Sequence, residues 1–369
     1  MSTETEKNDK SYNFMINGWR IIAFVSFLIF PSFLSLCAGS QPSEAVIEAK
    51  KTMERADPFM GDWQGGWELD NQADSGSLVS QVIALGKGQY RAVLSNEFDT
   101  RREPIALLNG RRDGESVKFE GKTFLSDQGL ELEIQAVIKE DEFSGKFKGD
   151  EFGSFGMSKV IRLSPKLGAR PPEGAVVLFN GKNFNEWKHP NKKEGEDKVK
   201  WELVDGAMRV KPGTGSIITK KQFGDVKLHI EFRTPFMPDK RSQGRGNSGV
   251  YLQGRYEVQI LDSYGLEGLD NECGGIYKVD RPQVNMCAPP TQWQNYDITF
   301  RAPRFDSAGK IISNPTLTVF HNGVKVHNKT EARGPTTASL GGKVSEPGPI
   351  YLQDHGNPVE FRNIWLVEL

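Results

Sequence analysis

Hydrophobic and polar residues alternate along much of the chain with a period of two, which is typical of β-strands that have one buried face. The clearest stretch is LELEIQAVI, residues 130–138, and similar short segments separated by glycine-containing turns fill residues 61–165. They predict a smaller antiparallel, barrel-like β domain there. Before it, Ser43 precedes a run of helix-forming residues, so we expect a leading helix within residues 41–60.

Strand-like alternation returns after a stretch rich in proline and glycine, which predicts a linker at residues 166–174. Residues 175–369 contain many short alternating segments and few helical periodicities. The dipeptide Asn322-Gly323, with alternating residues on both sides, indicates a β-hairpin. We therefore expect an all-β chain in which residues 175–369 form a two-sheet jelly-roll β-sandwich.

The N-terminal region carries an uncharged, mostly apolar run at residues 21–38. Ala38 and Ser40 would suit cleavage before Gln41, so we predict that residues 1–40 are a signal peptide. The run is also just long enough to span a bilayer, and an N-terminal membrane anchor is the alternative. Either interpretation predicts an exported protein, which would be periplasmic, attached to the cell surface or secreted.

The overall charge balance disfavours partners that are recruited by a strong electrostatic field. Lys and Arg together number 47 and Asp and Glu together number 48, which gives a formal net charge of -1. A nearly neutral chain has no basic field to attract nucleic acid, so we expect no nucleic-acid partner.

Two cysteines, Cys273 and Cys287, remain once the predicted leader is removed. An even pair in an exported domain predicts a disulfide bond, and two unpaired buried thiols are the alternative. Neither cysteine lies in a C-x-x-C motif or at ligand spacing from a histidine, which disfavours a metal site built on them.

Candidate chemistry begins with RYEVQILDSYG, residues 255–265, where Glu257 and Gln259 share one side of a predicted strand. A solvated polar face is the ordinary explanation of such a pair. With Asp262, the spacing is like the E-x-D-x-x-E signature of retaining β-glucanases, except that an amide replaces the central acid. Because retaining hydrolysis needs two carboxyl groups about 5 Å apart, this difference disfavours that mechanism.

The segment YLQDHG, residues 351–356, places Tyr351, Gln353 and His355 on one face of a predicted strand end. Imidazole titrates in the pH range that suits proton transfer, which makes His355 a candidate acid or base. A structural histidine bonded to a backbone group is the alternative.

Five blocks within residues 175–369 together resemble the 3-keto-disaccharide hydrolase-like family, and they occur in the family's order. The blocks are VVLFNGKNFNEW, KKQFGDVKLHIEFRTP, GNSGVYLQGRYEVQILDSYG, ECGGIYKVDRPQVNMCAPPTQWQNYDITFRAPRFD and IYLQDHGNPVEFRNIWLVEL. The resemblance does not cover residues 41–165. It implies a concanavalin-like β-sandwich, in agreement with the strand pattern.

The resemblance also implies an activity: cleavage of 3-keto-glycosides as a 1,2-lyase, with hydration of the resulting 2-hydroxy-glucal giving net hydrolysis. A ketone at C3 acidifies the proton on C2, so a positioned base can remove it and expel the C1 aglycone by β-elimination. Two carboxylates are then unnecessary, and Gln259 is tolerable where a β-glucanase has an acid.

This hypothesis assigns roles to individual residues. Glu257 and His355 are the expected catalytic acid and base, in either order. The expected substrate-binding residues on the same face are Asn247, Tyr251, Gln253, Gln259, Asp262 and Arg362. No cofactor is certain, and a divalent metal stays an open alternative, with Glu257, Asp262 and His355 as its ligands.

Two other classes of function stay open. A non-catalytic carbohydrate-binding or lectin-like cell-surface protein on the same fold would expose aromatic side chains on its sugar-binding face and would need no acid or base. A structural or adhesion protein, in which residues 61–165 do the binding, is the third class. The expected partner is a 3-keto-glycoside or a glycan, with membrane association through residues 21–38 as an addition.

Overall fold

The computed structural model describes residues 43–70, 74–126, 129–193 and 195–369. The first element is helix α1 (Glu44–Ala56), and the Ser43 side chain caps it by accepting a hydrogen bond from the Val46 amide at 3.4 Å. Within these ranges, no helix is long and apolar enough to cross a membrane. The predicted leader, residues 1–40, lies outside the described residues.

Eight strands follow the helix and form a closed barrel. They are β1 (Gly61–Leu69), β2 (Ser75–Gly86), β3 (Gln89–Ser95), β4 (Ala106–Asp113), β5 (Ser116–Leu125), β6 (Leu130–Lys139), β7 (Glu142–Gly149) and β8 (Gly153–Val160). Consecutive strands pair antiparallel, and β1 also pairs with β8, which closes the sheet. Trp63 is fully buried, and its ring meets Phe143 edge-on with centroids 5.8 Å apart.

Fifteen further strands build the rest of the described chain. They are β9 (Val176–Phe179), β10 (Trp187–Lys188), β11 (Glu202–Val204), β12 (Ala207–Arg209), β13 (Ile217–Thr219), β14 (Val226–Arg233), β15 (Ser248–Leu252), β16 (Tyr256–Ile260), β17 (Gln294–Arg301), β18 (Arg304–Phe305), β19 (Ile311–Ser313), β20 (Thr316–His321), β21 (Val324–Glu331), β22 (Tyr351–Leu352) and β23 (Glu360–Glu368). A short 3-10 helix, Ser242–Gly244, precedes β15.

These strands form two larger sheets. The five-stranded sheet has the order β10-β13-β22-β15-β16. The eight-stranded sheet has the order β11-β12-β23-β14-β17-β20-β21, with β9 paired to β23, and β18 and β19 form a separate small sheet. All pairings among them are antiparallel, so the predicted all-β class is confirmed.

The two larger sheets share one hydrophobic core. Val250 and Val258 of the five-stranded sheet and Ile230 and Ile298 of the eight-stranded sheet are fully buried in it. Because side chains alternate along a strand, the residues between these point away from the core. Each sheet therefore has one face that points away from the core, and the candidate catalytic and binding side chains lie on these two faces.

The hairpin predicted at Asn322-Gly323 is confirmed. It joins β20 to β21, and His321 pairs with Val324 across it. The φ angles of Asn322 and Gly323 are 50° and 84°, so both loop residues are left-handed, as a two-residue type I′ turn requires.

Buried polar contacts join the barrel to the strands that follow it. The Tyr264 hydroxyl donates to the Asp62 carboxylate at 2.6 Å. Arg245 donates to Asp262 at 2.6 Å and to the Ala84 carbonyl of β2 at 3.2 Å. The barrel is thus fixed against the segments that flank β15 and β16.

Candidate functional site

The outward side of β15, β16 and β22 is polar, and we call it the polar face. It carries Gly249, Tyr251, Glu257, Gln259 and Tyr351. In the strand register Tyr251 pairs with Glu257, Gly249 pairs with Gln259, and Tyr351 pairs with Tyr251. The alternate residues, such as Val250 and Val258, lie in the core. Glu257 and Gln259 therefore share one face, as their spacing predicted.

Glu257 is the central acid of the polar face. Its side chain lies over Gly249, where a Cβ atom would overlap the Glu257 Oε1 atom. The residue is only 3% exposed, and this burial raises the pKa of its carboxyl group to about 8, while the neighbouring Tyr251 hydroxyl acts in the opposite direction. The group is therefore mostly protonated at neutral pH and can change charge near it.

Three side-chain amides interlock beside Glu257. The Gln243 Oε1 atom accepts hydrogen bonds from Gln259 Nε2 at 3.0 Å and from Asn247 Nδ2 at 3.1 Å. Gln243 Nε2 in turn donates to the Asn271 carbonyl at 2.7 Å. This chain of hydrogen bonds holds Asn247 and Gln259 together at one end of the polar face.

Two tyrosines and a glutamine form the other side of the polar face. The rings of Tyr251 and Tyr351 lie with their centroids 4.6 Å apart. Gln353 Nε2 donates to the Tyr251 hydroxyl at 3.0 Å, and this hydroxyl donates to the Thr337 carbonyl at 3.3 Å. Thr336 accepts a hydrogen bond from the Glu257 amide at 3.1 Å, so the segment around Thr336 and Thr337 flanks the acid.

Three of the predicted site residues lie elsewhere. Gln253 follows the end of β15 in a left-handed conformation with φ of 54°, and its amide donates to the Phe223 carbonyl. Asp262 is buried in an ion pair with Arg245 at the barrel contact. Arg362 belongs to β23 of the other sheet, which corrects the prediction that it shares a surface with Glu257.

His355 lies exposed in the connection between β22 and β23, beyond the end of the strand. The strand ends at Leu352, so the alternation that predicted a common face for Tyr351 and His355 does not continue to His355. The chain positions His355 two residues after Gln353, on a surface segment next to the polar face.

The proposed metal ligands do not form a coordination site. Glu257 lies over Gly249, Asp262 is bonded to Arg245, and His355 is exposed. Within the described parts of the chain, no group of three or more His, Cys, Asp and Glu side chains is arranged to hold a metal ion. The residues do not fit the divalent metal considered from the sequence.

The two cysteines are buried free thiols in this structure, so the predicted disulfide is not formed in it. Cys273 Sγ lies 3.2 Å from the Tyr296 hydroxyl, and Cys287 Sγ donates to the Leu261 carbonyl at 3.4 Å. Buried thiols satisfied by such weak hydrogen bonds behave as small core residues. The Tyr296 hydroxyl also donates to the Gln259 carbonyl at 2.7 Å, which ties this cluster to the back of β16.

A second buried polar cluster lies on the outward face of the eight-stranded sheet. His229 Nδ1 is 2.7 Å from Asp297, and the His229 ring stacks on Trp365 with centroids 4.9 Å apart. Glu231 accepts hydrogen bonds from Arg362 Nε at 2.7 Å and from the Gly168 amide at 2.6 Å. Since Gly168 belongs to the predicted linker, this cluster holds the linker against the sheet.

Sequence reasoning missed His229 and Glu231, although a signal was present. HIEF within β14 has the same spacing of two polar residues as EVQI within β16. Gln243 and Gln353 were also not assigned to the site. Gln353 was visible in YLQDHG, whereas nothing local distinguishes Gln243 from an ordinary loop glutamine.

Three sizeable cavities lie away from the polar face, and one of about 680 Å³ is bordered by the barrel residues Trp67, Ser144 and Phe155. A second, of about 1080 Å³, is bordered by barrel residues that include Arg111, Lys118 and Phe119. The third, of about 620 Å³, lies between the barrel and the loop that contains Leu266. Glu257 borders none of the three cavities, so the candidate site is defined by its buried polar groups rather than by a cavity.

The fold and site together define a two-sheet β protein with a buried, titratable acid on an outward polar face. The family model of the 3-keto-alpha-glucoside-1,2-lyase-like domain matches residues 174–367. The chain belongs to this family, and the resemblance noted in the sequence is confirmed.

Solved structures provide further comparisons. A candidate glycosyl hydrolase from Parabacteroides distasonis ATCC 8503 is 39% identical over 54% of this chain and 85% of that chain, with a TM-score of 0.48. A second candidate glycosyl hydrolase from that organism is 22% identical over 53% of this chain and 94% of that chain, with a TM-score of 0.40. Fatty-acid-binding protein 1 of Echinococcus granulosus is 16% identical over 29% of this chain and 99% of that chain, with a TM-score of 0.19. No curated protein matches the chain.

Proposed function

We propose that this protein is a glycoside-processing enzyme that cleaves 3-keto-glycosides by β-elimination and then hydrates the product. The observation that carries the proposal is Glu257, a buried carboxyl group on the polar face whose pKa is raised to about 8. An acid that titrates near neutral pH can take part in proton transfer in both directions. Membership of the 3-keto-alpha-glucoside-1,2-lyase-like family supports the substrate class.

The elimination needs one base and one acid. The base takes the C2 proton, which the C3 ketone makes acidic, and the electron pair of the C2–H bond forms the C1=C2 double bond. The bond from C1 to the glycosidic oxygen breaks, and the acid gives this oxygen a proton so that the aglycone leaves as an alcohol. Addition of water across the double bond then yields the free 3-keto-sugar, so the net reaction is hydrolysis.

We assign the acid to Glu257 and the base to His355. Because the pKa of Glu257 is about 8, it carries the proton at neutral pH and can donate it to the leaving oxygen. His355 is exposed on the segment that follows Gln353, and an unprotonated imidazole nitrogen can accept a proton. Substrate bound between the polar face and this segment would bring both groups to C1 and C2.

The lectin alternative finds less support on the polar face. A carbohydrate-binding platform presents aromatic rings to solvent, whereas Tyr251 is fully buried and Tyr351 is 7% exposed. Burial of an ionisable carboxyl group lowers the stability of the fold, and such a group contributes nothing to the stacking of a sugar on an aromatic ring. The protonated Glu257 is therefore the feature that favours catalysis over binding alone.

The test is turnover of 3-keto-disaccharides by the full-length protein, followed by the absorbance of the conjugated enone and by release of reducing sugar. Glu257→Gln should lower turnover at least about 100-fold, the lower range for general acid-base catalysis. Glu103→Gln, at an exposed position between β3 and β4, is the matched control and should leave turnover unchanged. Substrate deuterated at C2 should react more slowly. Binding of glycans without turnover of any 3-keto-glycoside would establish the lectin alternative instead.

A further inference from the structure

Two buried amide oxygens on the polar face have no hydrogen-bond partner within the described part of the chain. They are Asn247 Oδ1 and Gln353 Oε1, and the two residues are 1% and 7% exposed. Buried polar atoms are nearly always paired in proteins, so an unpaired one at a candidate site requires an explanation. A ligand that donates hydrogen bonds would provide it.

The orientation of the Asn247 amide is fixed by its neighbour. Asn247 Nδ2 donates to the Gln243 backbone carbonyl at 2.8 Å, and a carbonyl oxygen can only accept. A flipped amide would place two acceptors against each other. The free end of Asn247 is therefore its oxygen.

The orientation of the Gln353 amide follows from the Tyr251 hydroxyl. This hydroxyl has one proton, and the Thr337 carbonyl and the Glu257 carboxyl group are its acceptors, so toward Gln353 the hydroxyl accepts. The bond from Gln353 Nε2 to this hydroxyl measures 3.0 Å. The free end of Gln353 is again the oxygen.

Both residues that carry the free oxygens lie beside the position of Glu257. The Gln353 backbone amide donates to the Gly249 carbonyl at 3.1 Å, so Gln353 lies beside Gly249, above which the Glu257 carboxyl group is placed. Asn247 is two residues before Gly249 and is joined through Gln243 to Gln259. Residues two apart on a strand are about 7 Å apart, and neighbouring strands about 5 Å, so the two residues are close enough to contact one bound sugar.

We infer that Asn247 Oδ1 and Gln353 Oε1 accept hydrogen bonds from two hydroxyl groups of the sugar whose glycosidic bond Glu257 protonates. The inference rests on the proposed function for the presence of a sugar at this face. Two acceptors select hydroxyl groups and repel both a carboxylate and the keto oxygen, which are themselves acceptors. The residues therefore determine specificity: they favour neutral sugars over uronic acids and turn the C3 ketone away from the amides.

The test measures binding, because methyl α-glucoside lacks the ketone and cannot be eliminated. The full-length Glu257→Gln protein is titrated with this glucoside, with its 2-, 4- and 6-deoxy analogues and with the corresponding glucuronide. We expect at least two of the deoxy analogues to bind about tenfold more weakly than the glucoside, and the glucuronide to bind more weakly still.

Gln353→Met and Asn247→Leu, each added to Glu257→Gln, identify the partners. If Gln353 accepts from a given hydroxyl, removal of this hydroxyl should cost about tenfold in affinity while Gln353 is present. The same removal should cost almost nothing in Gln353→Met, which has no amide acceptor. Gln292→Met is the matched control, because Gln292 is also buried but donates to the Arg162 carbonyl away from the polar face. In the Gln292→Met protein, removal of each hydroxyl should lower the affinity by the same factor as it does when Gln292 is present.

The outcomes separate this inference from the proposed function. Equal affinity of the Glu257→Gln protein for all analogues, or unchanged losses in Gln353→Met and Asn247→Leu, would overturn the inference even if 3-keto-glycosides are turned over. The deoxy series needs no further substitution, so equal affinities in it would overturn the inference even if these variants fold poorly. The expected pattern of losses without any turnover by the wild type would refute the elimination and keep the two hydroxyl contacts.

Discussion

The Oε1 atom of Glu257 lies above Gly249 on the neighbouring strand, 2.2 Å from the position that a β-carbon of residue 249 would occupy. Gly249 pairs with Gln259, and Glu257 pairs with Tyr251, so the carboxyl group reaches diagonally across the two strands. The absence of a side chain at Gly249 is what allows the acid to lie flat against the sheet.

Gly249→Ala should therefore disable the site while Glu257 itself is unchanged. The added methyl group would overlap Glu257 Oε1 and come within 2.9 Å of the Tyr251 ring, so the acid must move. We expect turnover to fall at least about 100-fold, because small displacements of catalytic groups have effects of this size. Gly224→Ala, where a Cβ would meet no atom within 4 Å, is the control. Full activity of Gly249→Ala would show that the observed position of Glu257 is not the active one.

The dependence of kcat/KM on pH should show directly whether Glu257 acts as the acid. As the proton donor, Glu257 must be protonated, so kcat/KM should decline about tenfold per pH unit above about pH 8, the raised pKa of this group. In Glu257→Gln the remaining activity should lack this decline. Initial rates between about pH 6 and 10 provide the measurement, and a rate that rises through pH 8 would instead make Glu257 the base.

Stability should depend on the same group with a defined sign. Burial raises the pKa of Glu257 from its ordinary 4.5 to about 8, so between these values the folded state holds a proton that the unfolded state has lost. The contribution of Glu257 to the free energy of unfolding should therefore be highest below pH 4.5. It should decrease by as much as about 5 kcal/mol as the pH rises to 8. Urea titrations of the wild type and Glu257→Gln should diverge across this window. Parallel curves would contradict the raised pKa.

Local patterns explain which parts of the site could be predicted from the sequence. Alternation within EVQI is enough to place Glu257 and Gln259 on one face, because the period of a strand is a local property. The partner strand is not local: Gln353 reaches Tyr251 from 102 positions away, and only the assembled sheet shows their contact. The period-two pattern also placed Gln253 wrongly on the face of Glu257, because the strand ends before Gln253 and the chain turns there.

Arg362 shows a second reason why the sequence pattern could not predict the whole site. Its position in β23 was predicted to be near a site, but alternation cannot reveal which of two sheets a strand joins. The strand register is also irregular around Asn363, whose φ is 45°, so period-two counting does not pass through it. Arg362 consequently lies with Glu231 and the linker.

Arg101 should link the barrel to the candidate site. It lies between β3 and β4 and donates to the carbonyl oxygens of Gly268 at 2.6 Å and Pro282 at 2.7 Å, in the loops that follow β16. Arg101→Ala should lower the free energy of unfolding by about 2 kcal/mol and increase amide exchange across residues 266–283. Arg102→Ala removes an exposed ion pair with Glu97 and should do neither. Equal exchange in the two variants would show that the barrel does not order these loops.

Arg362→Met should separate stability from catalysis. Burial alone would raise the pKa of Glu231, but hydrogen bonds from His229 and Asn363 and the charge of Arg362 lower it to about 2. Stability from Glu231 is thus present above its ordinary value of 4.5 and is lost as the pH falls towards 2.

Removal of Arg362 leaves the buried Glu231 carboxylate without its cation, so we expect a loss of about 3 kcal/mol at pH 7 and a smaller dependence of stability on pH below about 4.5. Arg301→Met breaks a half-exposed pair with Asp225 and should cost less than about 1 kcal/mol. Neither change should alter kcat for a 3-keto-glycoside, because both residues lie on the eight-stranded sheet, away from Glu257. A large fall in kcat for Arg362→Met with unchanged unfolding would place Arg362 in contact with the substrate, as the sequence had suggested.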